Sequence, residues 1–133
     1  MANRFTVYLI YQRSLDGTDS EPTVRIPYKV GFHTRTTIQR RGELQTGNPC
    51  KLKIAGEYFL EDAATMTTLE AAILQIVRNH SRHIRGEWFF FSHNDFETLN
   101  QHLILNNAGE EFCNPEAFCH LLQARLDEAD EFA

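Results

Sequence analysis

The chain has 133 residues, 42 % of them hydrophobic, which suits one domain with its own core and is too short for two comfortable ones. It has no run of about eighteen apolar residues for a membrane span and no basic-then-apolar signal at the N-terminus, so a cytoplasmic protein without membrane partners is expected. The formal charge of −5 hides an asymmetry. Residues 1–91 hold 12 of the 13 Lys/Arg and 9 of the 18 Asp/Glu, giving +3, while residues 92–133 carry −8, so a basic body carries an acidic extension.

In chain order, Phe5-Thr6-Val7-Tyr8-Leu9-Ile10-Tyr11 is β-branched and aromatic and predicts a first strand from about Arg4 to Gln12. Thr6, Tyr8 and Ile10 share one face of it. Arg13 to Pro22 has the Ser, Asp, Gly and Pro chemistry of a loop. Val24 to Phe32 predicts a second strand, with Pro27 at an edge or bulge. Lys29 and Gly31 fall on one face and Tyr28 and Val30 on the other. Gly31 reads as the point where the backbone leaves the strand, at a place where a side chain would obstruct a ligand.

Thr36 or Thr37 caps a helix to about Gln45, and Thr46-Gly47-Asn48-Pro49 turns the chain. Leu52 to Leu60 predicts a third strand, with Lys51 and Lys53 near its start. The longest helix is expected from about Thr67 to His83, its buried stripe running through Leu69, Ile73, Ile76, Val77 and Ile84. Glu70 borders that stripe. Arg78, Arg82, His83 and Arg85 follow, either compensating the helix dipole or forming a phosphate-binding ridge. Gly86 breaks the helix before a buried Trp88-Phe89-Phe90-Phe91 segment, and Glu87 reads as a tie on the local backbone.

Ser92 or Asn94 then caps a helix to about Leu105, and Asn114-Pro115-Glu116 starts a last one with a Phe118, Leu121, Leu122, Leu126 stripe. Those two helices either cover an apolar face of the domain or form a homodimer, or else the acidic region restrains the basic body by lying over the Arg78, Arg82 and Arg85 ridge or repelling DNA from it. Cys50, Cys113 and Cys119 are odd in number, without CxxC spacing, and are expected as reduced thiols. The six histidines form no metal signature.

Thr6-Val7-Tyr8, Tyr28-Lys29-Val30-Gly31, Arg40, Glu43-Leu44-Gln45-Thr46-Gly47-Asn48-Pro49, Glu70 and Gly86-Glu87-Trp88-Phe89 come in an order that resembles the GIY-YIG nuclease superfamily. The resemblance is to the compact phage and bacterial branch with YKIG, ELQTGNP and GEWF signatures, over roughly Val7 to Phe91. It implies a small α+β domain, a three-stranded mainly antiparallel sheet flanked by helices over residues 1–91. Residues 92–133 would form an acidic helical extension packed on the same domain. It further implies a metal-dependent endonuclease acting on DNA.

In that reading Tyr8, Lys29, Arg40 and Glu70 are catalytic. Glu70 holds Mg²⁺ or Mn²⁺, Arg40 stabilises the transition-state charge through its fork of donors, and either Tyr8 or Lys29 serves as base. Lys29 stands where the family has its second tyrosine, and Leu74 where relatives often show histidine. Arg41, Lys51, Lys53, Arg78, Arg82 and Arg85 are the candidate nucleic-acid contacts. The competing class is a binding module on the same fold, without turnover.

Overall fold

The computed structural model describes residues 4–13, 21–34 and 37–131, the last three as backbone. Along these residues the order is β1 (Phe5–Gln12), β2 (Ile26–His33), α1 (Thr37–Gln45), β3 (Leu52–Leu60), α2 (Ala63–Arg78), β4 (His83–Arg85), β5 (Trp88–Phe91), α3 (His93–Asn106) and α4 (Pro115–Glu131). Most of the expected Arg13 to Pro22 loop, and Thr36 as a cap, lie outside the described residues. No helix of the described residues is long and apolar enough to cross a membrane.

The sheet is antiparallel in the order β3-β1-β2-β5-β4. Strand alternation divides it into two faces of different character. Val7, Leu9, Tyr28, Val30, Phe89 and Phe91 point to one. There they bury against Leu69, Ile73 and Val77 of α2, Leu99 and Leu103 of α3, and Phe118, Leu122 and Leu126 of α4. Burying each such side chain fully contributes about 1.5–3 kcal/mol. The stripes of α3 and α4 are thus spent within the chain, covering an apolar face of it.

On the other face, among the described residues, the buried apolar cluster is small: Tyr8, Ile10 and Leu52, with Leu44, Ile54 and Trp88 packed around them. The short helix α1 covers part of that face. That partial cover leaves room for charged groups beside buried ones, and the site residues of β1, β2 and α1 meet here.

Two expectations are corrected. The sheet has five strands among the described residues, not three, because residues 83–91 form a β-hairpin. The long helix runs from Ala63 to Arg78, not from Thr67 to His83. Asp62 caps it, accepting a hydrogen bond from Thr65 N at 2.7 Å, and Asn79 ends it. Gly86, at φ 55°, does not end the helix but turns the hairpin, a conformation that favours glycine. Trp88–Phe91 then pairs with Ile26–Lys29, so Phe89 and Phe91 are buried while Phe90 faces solvent. Pro27 lies just past the last β1–β2 pair, Tyr11↔Tyr28, and since the Val30 N–H faces β5, an N–H at 27 would face β1 where the pairing has ended, so its absence costs the ladder nothing.

Candidate functional site

Tyr8 stands in mid-strand, opposite Gly31 on β2 and Glu57 on β3. A Cβ on Gly31 would lie 2.2 Å from both Tyr8 Cζ and Tyr8 Oη, so the phenol ring lies flat across the glycine. This corrects the reading of Gly31 as an exit. β2 continues to His33, and the space that glycine clears is filled by Tyr8 itself.

The Tyr8 side chain is fully buried, and Tyr8 Oη meets no hydrogen-bond partner of good geometry among the described residues. Burial pushes the phenol above its usual pKa. The neighbouring Arg40 guanidinium works against that rise, and Glu87 and Glu43 add to it. Arg40 is therefore close enough to stabilise a phenolate without being aligned to satisfy the hydroxyl. A buried, unsatisfied hydroxyl costs about 1–3 kcal/mol, a penalty that a water or a ligand oxygen at this point would relieve.

Arg40 projects from the first turns of α1 and donates to Glu43 Oε2 at 2.9 Å, both side chains being half exposed. Lys29, on the same face of β2 as Gly31, is buried and donates to Glu87 Oε2 at 3.2 Å. Its ammonium lies 6.0 Å from the centre of the Trp88 ring. Glu87 sits in the β4–β5 turn and also accepts Val30 N–H through its carbonyl at 3.4 Å. The backbone bond is made by the main-chain carbonyl, while the carboxylate accepts from Lys29.

Three side chains that the sequence did not mark as site residues complete the face. The His33 ring packs 5.2 Å from the Tyr8 ring, centre to centre. His33 Nε2 is 2.9 Å from Thr37 Oγ1, and Thr37 Oγ1 donates to Glu57 Oε2 at 2.5 Å. Only the strand register brings Glu57 opposite Tyr8, and the linear sequence does not contain that register.

A cleft of about 580 Å³ opens beside this face, lined among others by Leu44, Asn48, Arg85 and Trp88. Its wall is the turn after α1, and Gln45 holds that turn from inside. Gln45 Nε2 donates to Asn48 O at 3.2 Å and Cys50 O at 2.9 Å, and Gln45 Oε1 accepts from Leu52 N at 2.8 Å. At about 0.5–1.5 kcal/mol net per bond, Gln45→Ala should lower the unfolding free energy by roughly 2–3 kcal/mol in urea titration. A loss under about 0.5 kcal/mol would mean the turn is held by other contacts.

Of the expected nucleic-acid contacts, Arg41, Lys51 and Lys53 come together. Lys51 depresses the pKa of Lys53, with smaller effects from desolvation, Arg13 and Arg41, so four cations share one patch. Arg78 and Arg85 are exposed. Arg82 does not belong with them. It is 4 % exposed and donates to Asp95 Oδ2 at 3.2 Å, so its charge is used inside the protein.

Glu70 is exposed on α2, whose buried side packs on the face of the sheet opposite Tyr8. The structure thus brings Tyr8, Arg40 and Lys29 to one face and leaves Glu70 on a helix across the sheet. Among the described residues no three His, Cys, Asp or Glu side chains converge as a metal cage. No family model, curated protein or solved structure matches the chain.

Proposed function

We propose that this chain is a metal-dependent endonuclease hydrolysing phosphodiester bonds in DNA, with its centre on the Tyr8 face. The observation that carries the reading is the buried, unsatisfied Tyr8 hydroxyl beside the Arg40 guanidinium, adjoining a cluster of Arg41, Lys51, Lys53 and Arg13. Clustered cations favour a polyanion and release its counterions. Arg40 presents a planar fork suited to two phosphate oxygens, once phosphate replaces Glu43 as its partner. Tyr8, protonated with its pKa raised by burial, orients a water or a phosphate oxygen rather than acting unaided as a base.

Mg²⁺ and Mn²⁺ take hard oxygen ligands, and Mg²⁺ is often held by one or two carboxylates, waters and substrate phosphate. Glu43 and Glu87 are already paired with cations. The exposed Glu70 carboxylate fits a one-ligand site of that weak kind. An ion held there, across the sheet from Tyr8 and Arg40, is out of reach of a phosphate on the Tyr8 face, so Glu70 does not fit as ligand of an ion serving that phosphate. The second reading, a nucleic-acid-binding module without turnover, is favoured by the position of Glu70 on the far side of the sheet and by the neutralising partners of Arg40 and Lys29.

Incubating supercoiled plasmid with the full chain and Mg²⁺, Mn²⁺ or EDTA separates the two. The nuclease reading expects nicking with either ion and none with EDTA, and markedly slower turnover in Arg40→Lys at similar DNA affinity, while unchanged nicking in a folded Glu70→Ala removes Glu70 as the metal ligand. Plasmid that is bound yet never nicked by the wild type would establish the binding module instead.

A further inference from the structure

The cleft of about 580 Å³ beside the Tyr8 face has the size of a small-molecule site, and its walls mix two kinds of group. Pro27, Leu44 and Trp88 are apolar, while Thr46, Asn48 and Arg85 are polar. Asn48 Oδ1 accepts from Cys50 N at 2.9 Å. A backbone N–H only donates, so that bond fixes which end of the amide is oxygen and leaves its NH₂ group with two donors.

Trp88 is anchored on one side and open on another. It stands opposite Lys29 in the β2–β5 ladder, packs against the Tyr8, Ile10 and Leu52 cluster, and stays partly exposed where it lines the cleft. The exposed Arg85 is its partner across the β4–β5 hairpin. An indole held this way, with a guanidinium on the neighbouring strand, offers a surface for stacking a flat heterocycle. The Gln45 bonds hold the wall formed by the turn after α1, so the cleft is in place before anything enters it.

The surrounding charge selects which heterocycle. Gln12 and Cys50 line the cleft, and their chain neighbours Arg13 and Lys51 belong to the cationic patch with Lys53 and Arg41. Arg13 N donates to Lys51 O at 2.8 Å, which fixes that end of the patch. Leu44 lies one helical turn after Arg40, a spacing that sets Cβ atoms about 5–6 Å apart. A polyanionic backbone crossing these cations brings its bases to the cleft mouth. A double helix keeps its bases paired and stacked, so only an unpaired or extruded one can enter.

We propose that the Trp88 cleft binds one unpaired base of a single-stranded nucleic-acid segment whose backbone lies over Arg41, Lys51 and Lys53. The base stacks on the indole, and Asn48 and Arg85 donate to its polar edge. The inference rests on the reading of the Tyr8 face as a nucleic-acid site and deepens it, naming the substrate as single-stranded or locally unpaired.

Trp88 is the single tryptophan of the chain, so tryptophan fluorescence reports on this cleft alone. With EDTA present to stop cleavage, the full chain is titrated at low salt with three probes: single-stranded oligothymidylate, a strand of the same length whose sugars carry no bases, and the thymidylate paired to its complement. The oligothymidylate should quench Trp88 and bind roughly 10-fold more tightly than the baseless strand, in the range for one stacked base. The other two should leave the fluorescence unchanged.

Equal affinity for the strands with and without bases overturns the base cleft whether or not the protein nicks plasmid. So does oligothymidylate that binds without quenching Trp88, or a duplex that quenches it as strongly. A base-dependent quench in a wild type that never nicks supports the cleft while the nuclease reading falls, and a chain that binds none of the three probes overturns both. Trp88→Phe keeps a ring in the packing and should narrow the preference for bases, with affinity for the baseless strand unchanged. A preference that does not narrow overturns Trp88 as the stacking surface. Should Trp88→Phe fail to fold, the wild-type titrations decide by themselves.

Discussion

Asp95→Ala is expected to lower the unfolding free energy by about 3–5 kcal/mol, the range for a buried ion pair that loses one partner. Asp95 Oδ2 accepts from Arg82 Nη1 at 3.2 Å, and Asp95 Oδ1 stands 3.5 Å from Arg125 Nε. The Arg82 and Arg125 side chains are only 3 % and 17 % exposed. Without the carboxylate both guanidinium groups lose their shared partner while Arg125 keeps Glu128 Oε2 at 3.8 Å. The same carboxylate closes the capping box of α3, accepting from Ser92 N at 3.1 Å while Asp95 N donates to Ser92 Oγ at 3.1 Å, which adds about 1 kcal/mol.

A domain of this kind has about 5–15 kcal/mol of stability in all, so the melting temperature should fall sharply. The exposed Arg4–Glu111 pair, at 2.7 Å, is the control, and Glu111→Ala should change stability by no more than about 1 kcal/mol. If Asp95→Ala were equally mild, the two arginines would have to reach water by rearrangement. The same geometry predicts that Arg82→Ala reads out as lost stability rather than as a reduced salt dependence of DNA binding.

What could be read in advance follows the physics of short range. Caps are local chemistry, so Ser92 and the Asn114-Pro115 pair marked the starts of α3 and α4, and Leu52 to Leu60 was bounded correctly by its strand composition. The β4–β5 hairpin was not legible, because Ile84 continued the apolar spacing of Ile73 and Val77, and Trp88–Phe91 is too short to declare a period. Pairing with Ile26–Lys29, a tertiary event, decides it as strand.

The candidate site divides along the same line. Tyr8, Lys29 and Arg40 were visible as a motif and do share a face. His33, Thr37 and Glu57 were not, since a histidine, a threonine and a surface glutamate say nothing until the register sets Tyr8 against both Gly31 and Glu57. Arg82 was misread because a cation after a helix looks alike in sequence whether it meets solvent or a buried aspartate.

Gly31→Ala tests the packing on which the whole face depends. A methyl group there would sit 2.2 Å from Tyr8 Cζ and Oη and 2.8 Å from Cε1, inside contact distance. The ring belongs to the far end of a side chain and would ordinarily swing aside. Here it is fully buried and packed against His33 and the Ile10 and Leu52 cluster, so swinging aside breaks those contacts. Overpacking of this kind costs about 1–3 kcal/mol, and the displaced hydroxyl would leave Arg40, so nicking should fall even in protein that remains folded. Tyr8→Ala removes the obstacle. Because the two residues touch, their effects should not add, and the double variant should be more stable than the sum of the singles by about 1–3 kcal/mol. Urea titration of the four proteins measures that coupling. A coupling near zero would mean that the Tyr8 ring does not rest on Gly31, and the buried hydroxyl at the centre of the proposed site would lose its place.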